Sequence, residues 1–391
     1  MTTKILTLFL FWRIALFLVA FFATILIPVF GGNFPYTDQV LKVTNLPSWI
    51  WGFGNFDGVH YLRIAQNGYT SEYSQAFFPL YPLFVSFATN LQLFLPKDLS
   101  LDTRVYVDPA YFITAFILSN LFFIFAVYLL YKLLIIDFSR KKTIATLALL
   151  VAFPTSFYFG SVYTESLFLL LTISAFYFIR KGNFLFSGIF ILLATATRLF
   201  GLLLIPVFLV ELYLKLKNNQ INFKSSEFSK AIVGLFLAPM GILLYMLYLR
   251  LNFDNPLYFL TAQPFFGAGR EAEQIILLPQ VIFRYLKIFT TVPVNSPSFF
   301  NATIEFIFTV VPLIVLIVLF KRIRLSYLIF SLGCLILPTL TGTLSSMPRY
   351  ALMGFLLLPY ISKRYLKILV IIFLILQTIL VSRFIRGYWV A

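Results

Sequence analysis

Residues 5–30, ILTLFLFWRIALFLVAFFATILIPVF, decide the fold. A single charge, Arg13, interrupts the run. An α-helix needs about 20 mostly apolar residues to cross the hydrocarbon of a bilayer. Inside lipid, the helix also satisfies its own backbone donors and acceptors. The run is too long for a signal-peptide core and has no clear small-residue cleavage site, so it reads as a retained first helix. Arg13 either pairs with a carboxylate or lies toward the inner face; the residues leave both open.

Further apolar runs follow at 110–135, 143–162, 164–180, 184–197, 199–214, 229–250, 300–320, 325–343, 349–361 and 365–383. Pro79 and Pro82 break the start of 77–95, which therefore reads as an interfacial or re-entrant piece. The chain is 61% hydrophobic and 11% charged, against about 45–50% and ~25% in soluble domains. The expectation is one all-α integral membrane domain over residues 1–391, with outer loops at 31–109 and 251–299. The lone Cys334 excludes an intrachain disulfide and a thiolate zinc cluster, and the lone histidine, His60, excludes a multi-His metal site. No cofactor is indicated. A carboxylate-bound divalent cation stays open, without a ligand cluster to support it.

The net charge of +16 reads as membrane topology and not as nucleic-acid binding, because Lys and Arg accumulate in cytoplasmic loops. With the N-terminus inside, Arg140-Lys141-Lys142, Arg180-Lys181, the segment from Lys215 to Lys230, Lys321-Arg322-Ile323-Arg324 and Lys363-Arg364 all fall inside. The same alternation places Asp57, His60, Glu165, Arg198, Arg349 and Tyr350 on the outer side.

In the first outer loop, Asp57, His60, Arg63 or Ile64, and Asn67 share one face if 57–67 is helical, with Val59, Leu62 and Ala65 opposite. Ionisable groups beside a membrane are costly and mark function. Asp57 fits a general base acting on a hydroxyl, and equally a helix cap. His60 fits a second acid–base group or a phosphate donor, and equally an interfacial side chain. Arg63 suits phosphate or a lipid headgroup. Glu165 stands at the mouth of a membrane cavity or in a first helical turn favoured by the dipole. Arg198 and Arg349 offer phosphate a fixed fork of donors or snorkel to the interface. Walker loop, dinucleotide glycine motif and nucleophile elbow are absent, so ATP- or NAD-driven chemistry has no support.

Phe56-Asp57-Gly58-Val59-His60-Tyr61-Leu62-Arg63-Ile64-Ala65 with Gly68-Tyr69, then Ala76-Phe77-Phe78-Pro79-Leu80-Tyr81-Pro82, resembles the first-loop signature of the PIG-V mannosyltransferases. Ser161-Val162-Tyr163-Thr164-Glu165-Ser166-Leu167 resembles the second block of that family. Ala194-Thr195-Ala196-Thr197-Arg198 with Gly201 resembles a third, and Pro348-Arg349-Tyr350 a late one. The resemblance implies a polytopic GT-C-type glycosyltransferase fold; the apolar runs give it about eleven transmembrane helices, with interfacial helices in the first outer loop. It implies a polyprenyl-phosphate-linked donor, typically dolichyl-phosphate mannose, and inverting transfer outside the cytoplasm to a lipid or glycan acceptor. A membrane partner subunit fits families of this kind.

Asp57 inherits the base role, with His60, Arg63, Glu165, Arg198, Arg349 and Tyr350 as substrate-binding candidates. Phe56 departs from a common Trp, and Phe200 from a more usual polar residue. The compact chain, rich in Phe, Ile and Lys, looks prokaryotic, which implies the plasma membrane; a eukaryotic source implies the endoplasmic reticulum. Two rival classes remain: a lipid-linked sugar transporter or flippase, which predicts repeat symmetry between halves, and a non-catalytic assembly subunit.

Overall fold

The computed structural model describes residues 2–32, 36–98, 100–267, 269–272 and 274–390. The rest of both outer-loop segments, at 33–35, 99, 268 and 273, lies outside the described residues. The protein is all-helical. No strand occurs among the described residues, and one isolated bridge pairs Ile276 with Thr341. Six helical stretches among the described residues are long and apolar enough to cross a membrane: Thr3–Leu26, Pro109–Leu134, Leu199–Lys217, Ser226–Phe253, Pro297–Leu319 and Lys363–Ile385. Phe184–Thr195 and Leu325–Leu340 are shorter apolar helices. The protein is an integral membrane protein.

Local chemistry sets the helix ends. Asp108 accepts from the Ala110 amide at 2.8 Å and Pro109 follows, so the Pro109–Leu134 helix starts at a capped, proline-led turn. Ser296 and Pro297 do the same for Pro297–Leu319. The run expected at 143–162 is broken. A helix covers Arg140–Ala152 and stops because Pro154 forces Phe153 into an extended conformation. A tight 3₁₀ turn, Ser156–Gly160, follows. The run at 349–361 likewise splits at Gly354 into a helix Met347–Met353 and a 3₁₀ turn Phe355–Tyr360. The 77–95 region holds only the short helix Leu80–Asn90.

The chain divides into two compact units, 1–173 with 366–390, and 174–365. In the first, the C-terminal helix is fastened by side-chain amides. Gln377 Nε2 donates to the Val151 and Phe153 carbonyls, both at 3.0 Å, and to Ser156 Oγ at 2.6 Å. It thereby satisfies carbonyls left without an intrahelical partner at the broken helix end. In the second unit, Phe184–Thr195 packs against Ser226–Leu237 and Met240–Phe253 with backbones nearly touching. A Cβ on Gly188 would lie 2.2 Å from the Gly234 carbonyl oxygen, and one on Gly241 would lie 2.0 Å from that of Leu192. Small residues permit this approach, as is common between membrane helices. Glu211, fully buried, accepts from Arg324 Nε and Nη2, both at 2.7 Å, and from Ser326 Oγ at 2.6 Å.

Candidate active site

The first-loop signature opens with a 3₁₀ turn, Gly52–Gly54, and continues as a helix, Asp57–Asn67. Between them Phe56 has φ 60° and ψ −119°. For a side chain other than glycine such a backbone costs about 1–3 kcal/mol and survives only where the surroundings fix it. Here the buried Phe56 ring packs 5.5 Å from Phe384 and 5.3 Å from Trp389. Beside it, Asn55 Nδ2 donates to the carbonyls of Phe384 at 2.9 Å and Ile385 at 3.2 Å. The reversal delivers Asp57 as the first residue of its helix. Phe56 therefore occupies the cap position and makes no side-chain cap bond. Asp57 sits in the first turn, where the positive end of the helix favours a carboxylate.

The second block docks onto this turn. The Val162 amide donates to the Phe53 carbonyl at 3.0 Å, and Tyr163 Oη donates to the Asn55 carbonyl at 2.6 Å. Gly58 makes the approach possible, since a Cβ there would already lie 3.2 Å from the Val162 carbonyl oxygen. Glu165, fully buried, then opens the Glu165–Arg180 helix. The third piece, Ala76 to Pro82, lies against the Asp57–Asn67 helix. Phe77 stacks on His60 at 4.9 Å and meets Tyr61 edge-on at 5.2 Å, while Tyr81 packs against Tyr61 at 5.5 Å. Tyr81 donates to Ser119 or accepts from it at 2.8 Å. Burial pushes the Tyr81 phenol well up; the Ser119 bond opposes this, and Tyr61 and the Glu165 charge add to it. Around these rings the Asp57 charge acts on His60 and the Glu165 charge on Tyr81.

Burial lowers His60 from 6.5 to about 4; the Asp57 charge works against this and the Arg63 charge adds to it. His60 is therefore neutral at physiological pH, and can donate or accept a hydrogen bond but does not carry a positive charge to a phosphate. Arg63 has a structural engagement. Its guanidinium lies 3.9 Å over the Tyr36 ring, and Nη1 donates to Gln39 at 3.2 Å. Gln66, one turn on, fastens the helix by donating to the Thr103 and Tyr106 carbonyls and accepting from the Asp108 amide.

The second unit holds the other candidates. Arg198 is half-buried on extended backbone at the start of the 3₁₀ turn Leu199–Leu203. Arg349 is buried in Met347–Met353. Phe200 and Tyr350 stack with centroids 5.0 Å apart, so the turn carrying Arg198 and the helix carrying Arg349 are in contact. That stack accounts for an aromatic residue at position 200.

Sequence reasoning missed Glu305, a buried carboxylate within Pro297–Leu319. Tyr285 Oη donates to its Oε2 at 2.5 Å and accepts from the Leu344 amide at 3.1 Å, and the Ser346 amide also bonds Glu305. Arg270 Nη2 reaches Ser346 Oγ at 3.5 Å. Glu305 thus holds the turn before Arg349. The signal was present as an acid inside an otherwise apolar run. Among the described residues no three His, Cys, Asp or Glu side chains converge.

The chain is similar to known proteins over part of its length. GPI alpha-1,6-mannosyltransferase 2 of Cricetulus griseus is 32% identical over 153 residues, 39% of this chain and 30% of that protein. The Homo sapiens protein of that name is 31% identical over 169 residues, 43% and 32% of the two chains. GPI mannosyltransferase 2 of Drosophila pseudoobscura pseudoobscura is 31% identical over 142 residues, 36% and 29%. The matched stretches thus span about a third of these relatives. The family profile described as Mannosyltransferase (PIG-V) matches residues 3–253, which hold Asp57, His60, Arg63, Glu165 and Arg198 but not Arg349. The chain belongs to the PIG-V mannosyltransferase family.

Proposed function

We propose that the protein transfers mannose from a polyprenyl-phosphate donor to a hydroxyl of a lipid or glycan acceptor outside the cytoplasm, with inversion. The observation that carries this reading is the joint between the Asp57 turn and the Tyr163–Glu165 turn, in a chain of the PIG-V family. In the proposed step Asp57 takes the proton of the acceptor hydroxyl. The hydroxyl oxygen attacks the anomeric carbon of the sugar from the face opposite the lipid phosphate. The bond from that carbon to the phosphate oxygen breaks, and the phosphate leaves with the electron pair. A phosphate leaving group needs little protonation, so one base suffices. Neutral His60 orients a hydroxyl of donor or acceptor, and Glu165 and the tyrosines shape the sugar site. Arg198 and Arg349 are assigned to the donor phosphate by their charge and fork geometry.

The test is incubation of purified protein with radiolabelled polyprenyl-phosphate mannose and candidate acceptors, with and without chelator. Asp57→Asn is expected to fold normally and lose transfer by about 10²–10⁴-fold, the usual contribution of a general base. Wild-type turnover by that variant would remove Asp57 from the role.

A further inference from the structure

Arg13 lies in the middle of the first membrane helix and is 6% exposed. Among the described residues neither Nη1 nor Nη2 has a hydrogen-bond partner. Three phenylalanine rings enclose the guanidinium, with its carbon 4.4 Å from the centroid of Phe17 and 4.5 Å from those of Phe53 and Phe116. The remaining side is backbone. A Cβ on Gly160 would lie 2.4 Å from Nη1, so the guanidinium fills the space that glycine leaves. Next to it, Trp12 Nε1 donates to Ser156 Oγ at 3.3 Å, at the start of the same 3₁₀ turn.

Burying a cation without a hydrogen-bonded partner is costly, and an apolar side chain of similar volume often stabilises a protein at such a place. Cation–π attraction offsets part of that cost. The neighbours show what the residue accomplishes. Phe53 precedes the Asp57 turn by four residues, and its carbonyl accepts the Val162 amide. Gly160 precedes Glu165 by five. The guanidinium thus touches both the Phe53 ring and the Gly160 turn, the segments that lead into the two blocks.

We infer that Arg13 is a positioning residue for transfer, setting the spacing between the Asp57 turn and the Tyr163–Glu165 turn. The inference rests on the proposed mannosyl transfer for its kinetic consequence, but its structural consequence can be read separately. The full chain is assayed in nanodiscs with polyprenyl-phosphate mannose and the acceptor used by the wild type. Arg13→Met is expected to melt at the same temperature or higher, to keep the donor KM, and to lose kcat ten- to a hundredfold. Arg13→Lys, which keeps a cation over the rings, recovers part of that loss. Gly160→Ala, which displaces the guanidinium, shows the same kcat loss in the wild type. It adds little in the Arg13→Met background, where only the far end of Trp12, 3.1 Å from that Cβ, still has to give.

Hydrogen exchange of residues 158–166 is expected to quicken in Arg13→Met. Wild-type kcat in Arg13→Met, a loss that only tracks a lower melting temperature, or additive losses in the double variant would overturn the inference. Should the wild type itself transfer no mannose, the reaction assignment falls. The positioning role then stands or falls on whether exchange at 158–166 changes.

Discussion

At the scale of single residues, two side chains show how environment selects chemistry. Asp57 owes its place to Phe56, whose unfavourable backbone is held by Phe384 and Trp389. Periodicity made the Asp57 helix and its polar face legible, because the alternation of Asp57, His60 and Arg63 with Val59 and Leu62 is local. The residue in the cap position was not legible, since the positive φ of Phe56 depends on packing with residues far away in the chain. His60 carries a pH signature. Its folded pKa lies near 4 against an ordinary 6.5. Within that window the unfolded chain binds a proton that the folded chain refuses. Stability therefore falls as pH drops from 6.5 toward 4, and His60 contributes no pH dependence above it. Thermal melts of wild type and His60→Gln at pH 7, 6, 5 and 4.5 check this. The acid-induced drop in melting temperature should be smaller in the variant, and parallel curves would count against it.

At the scale of elements, the expected spans failed where proline and glycine intervene, at Phe153-Pro154 and at Gly354. Hydropathy measures the solvent a segment prefers and is blind to whether its backbone can stay helical. One departure leads into the candidate site: the broken helix end supplies the Ser156–Gly160 turn that precedes Glu165. Elsewhere, buried charge ties helices together. Glu211 is fully enclosed and its Arg324 partner is one-third exposed. Glu211→Ala would leave that guanidinium without its carboxylate and should cost roughly 3 kcal/mol, near the low end for breaking a buried pair. The double change Glu211→Leu with Arg324→Met should restore most of it. Denaturant unfolding in detergent measures both; a single variant as stable as wild type would show the pair to be unimportant. Nothing in the sequence joined Glu211 to Arg324, because pairing across 113 residues leaves no local trace.

At the scale of the whole molecule, membrane class, helical content and family were legible from composition and from the order of the blocks. The joint between the blocks was not, since Val162 to Phe53 and Tyr163 to Asn55 are contacts made by the fold. The Asn55 and Gln377 amides complete the frame. Gln377→Leu would remove bonds from the Val151 and Phe153 carbonyls and from Ser156, which keep Ser156 Oγ, the Ser156 amide and Trp12 Nε1 as donors, so the cost should be about 1 kcal/mol for each bond lost. The variant should unfold at lower denaturant and expose residues 150–160 to protease first. Cleavage no different from wild type would argue that water replaces the amide.

Asn55 and Phe56, near the start of the chain, rest on Phe384, Ile385 and Trp389 near its end. A ribosome making the protein delivers Asn55 329 residues before its Phe384 support. Until residues 384–389 emerge, the segment around Asp57 lacks the carbonyls and rings that hold it in its strained form. The shape of the Asp57 turn thereby depends on residues 384–389, and a nascent chain stalled before residue 384 would be inserted with that turn unsupported.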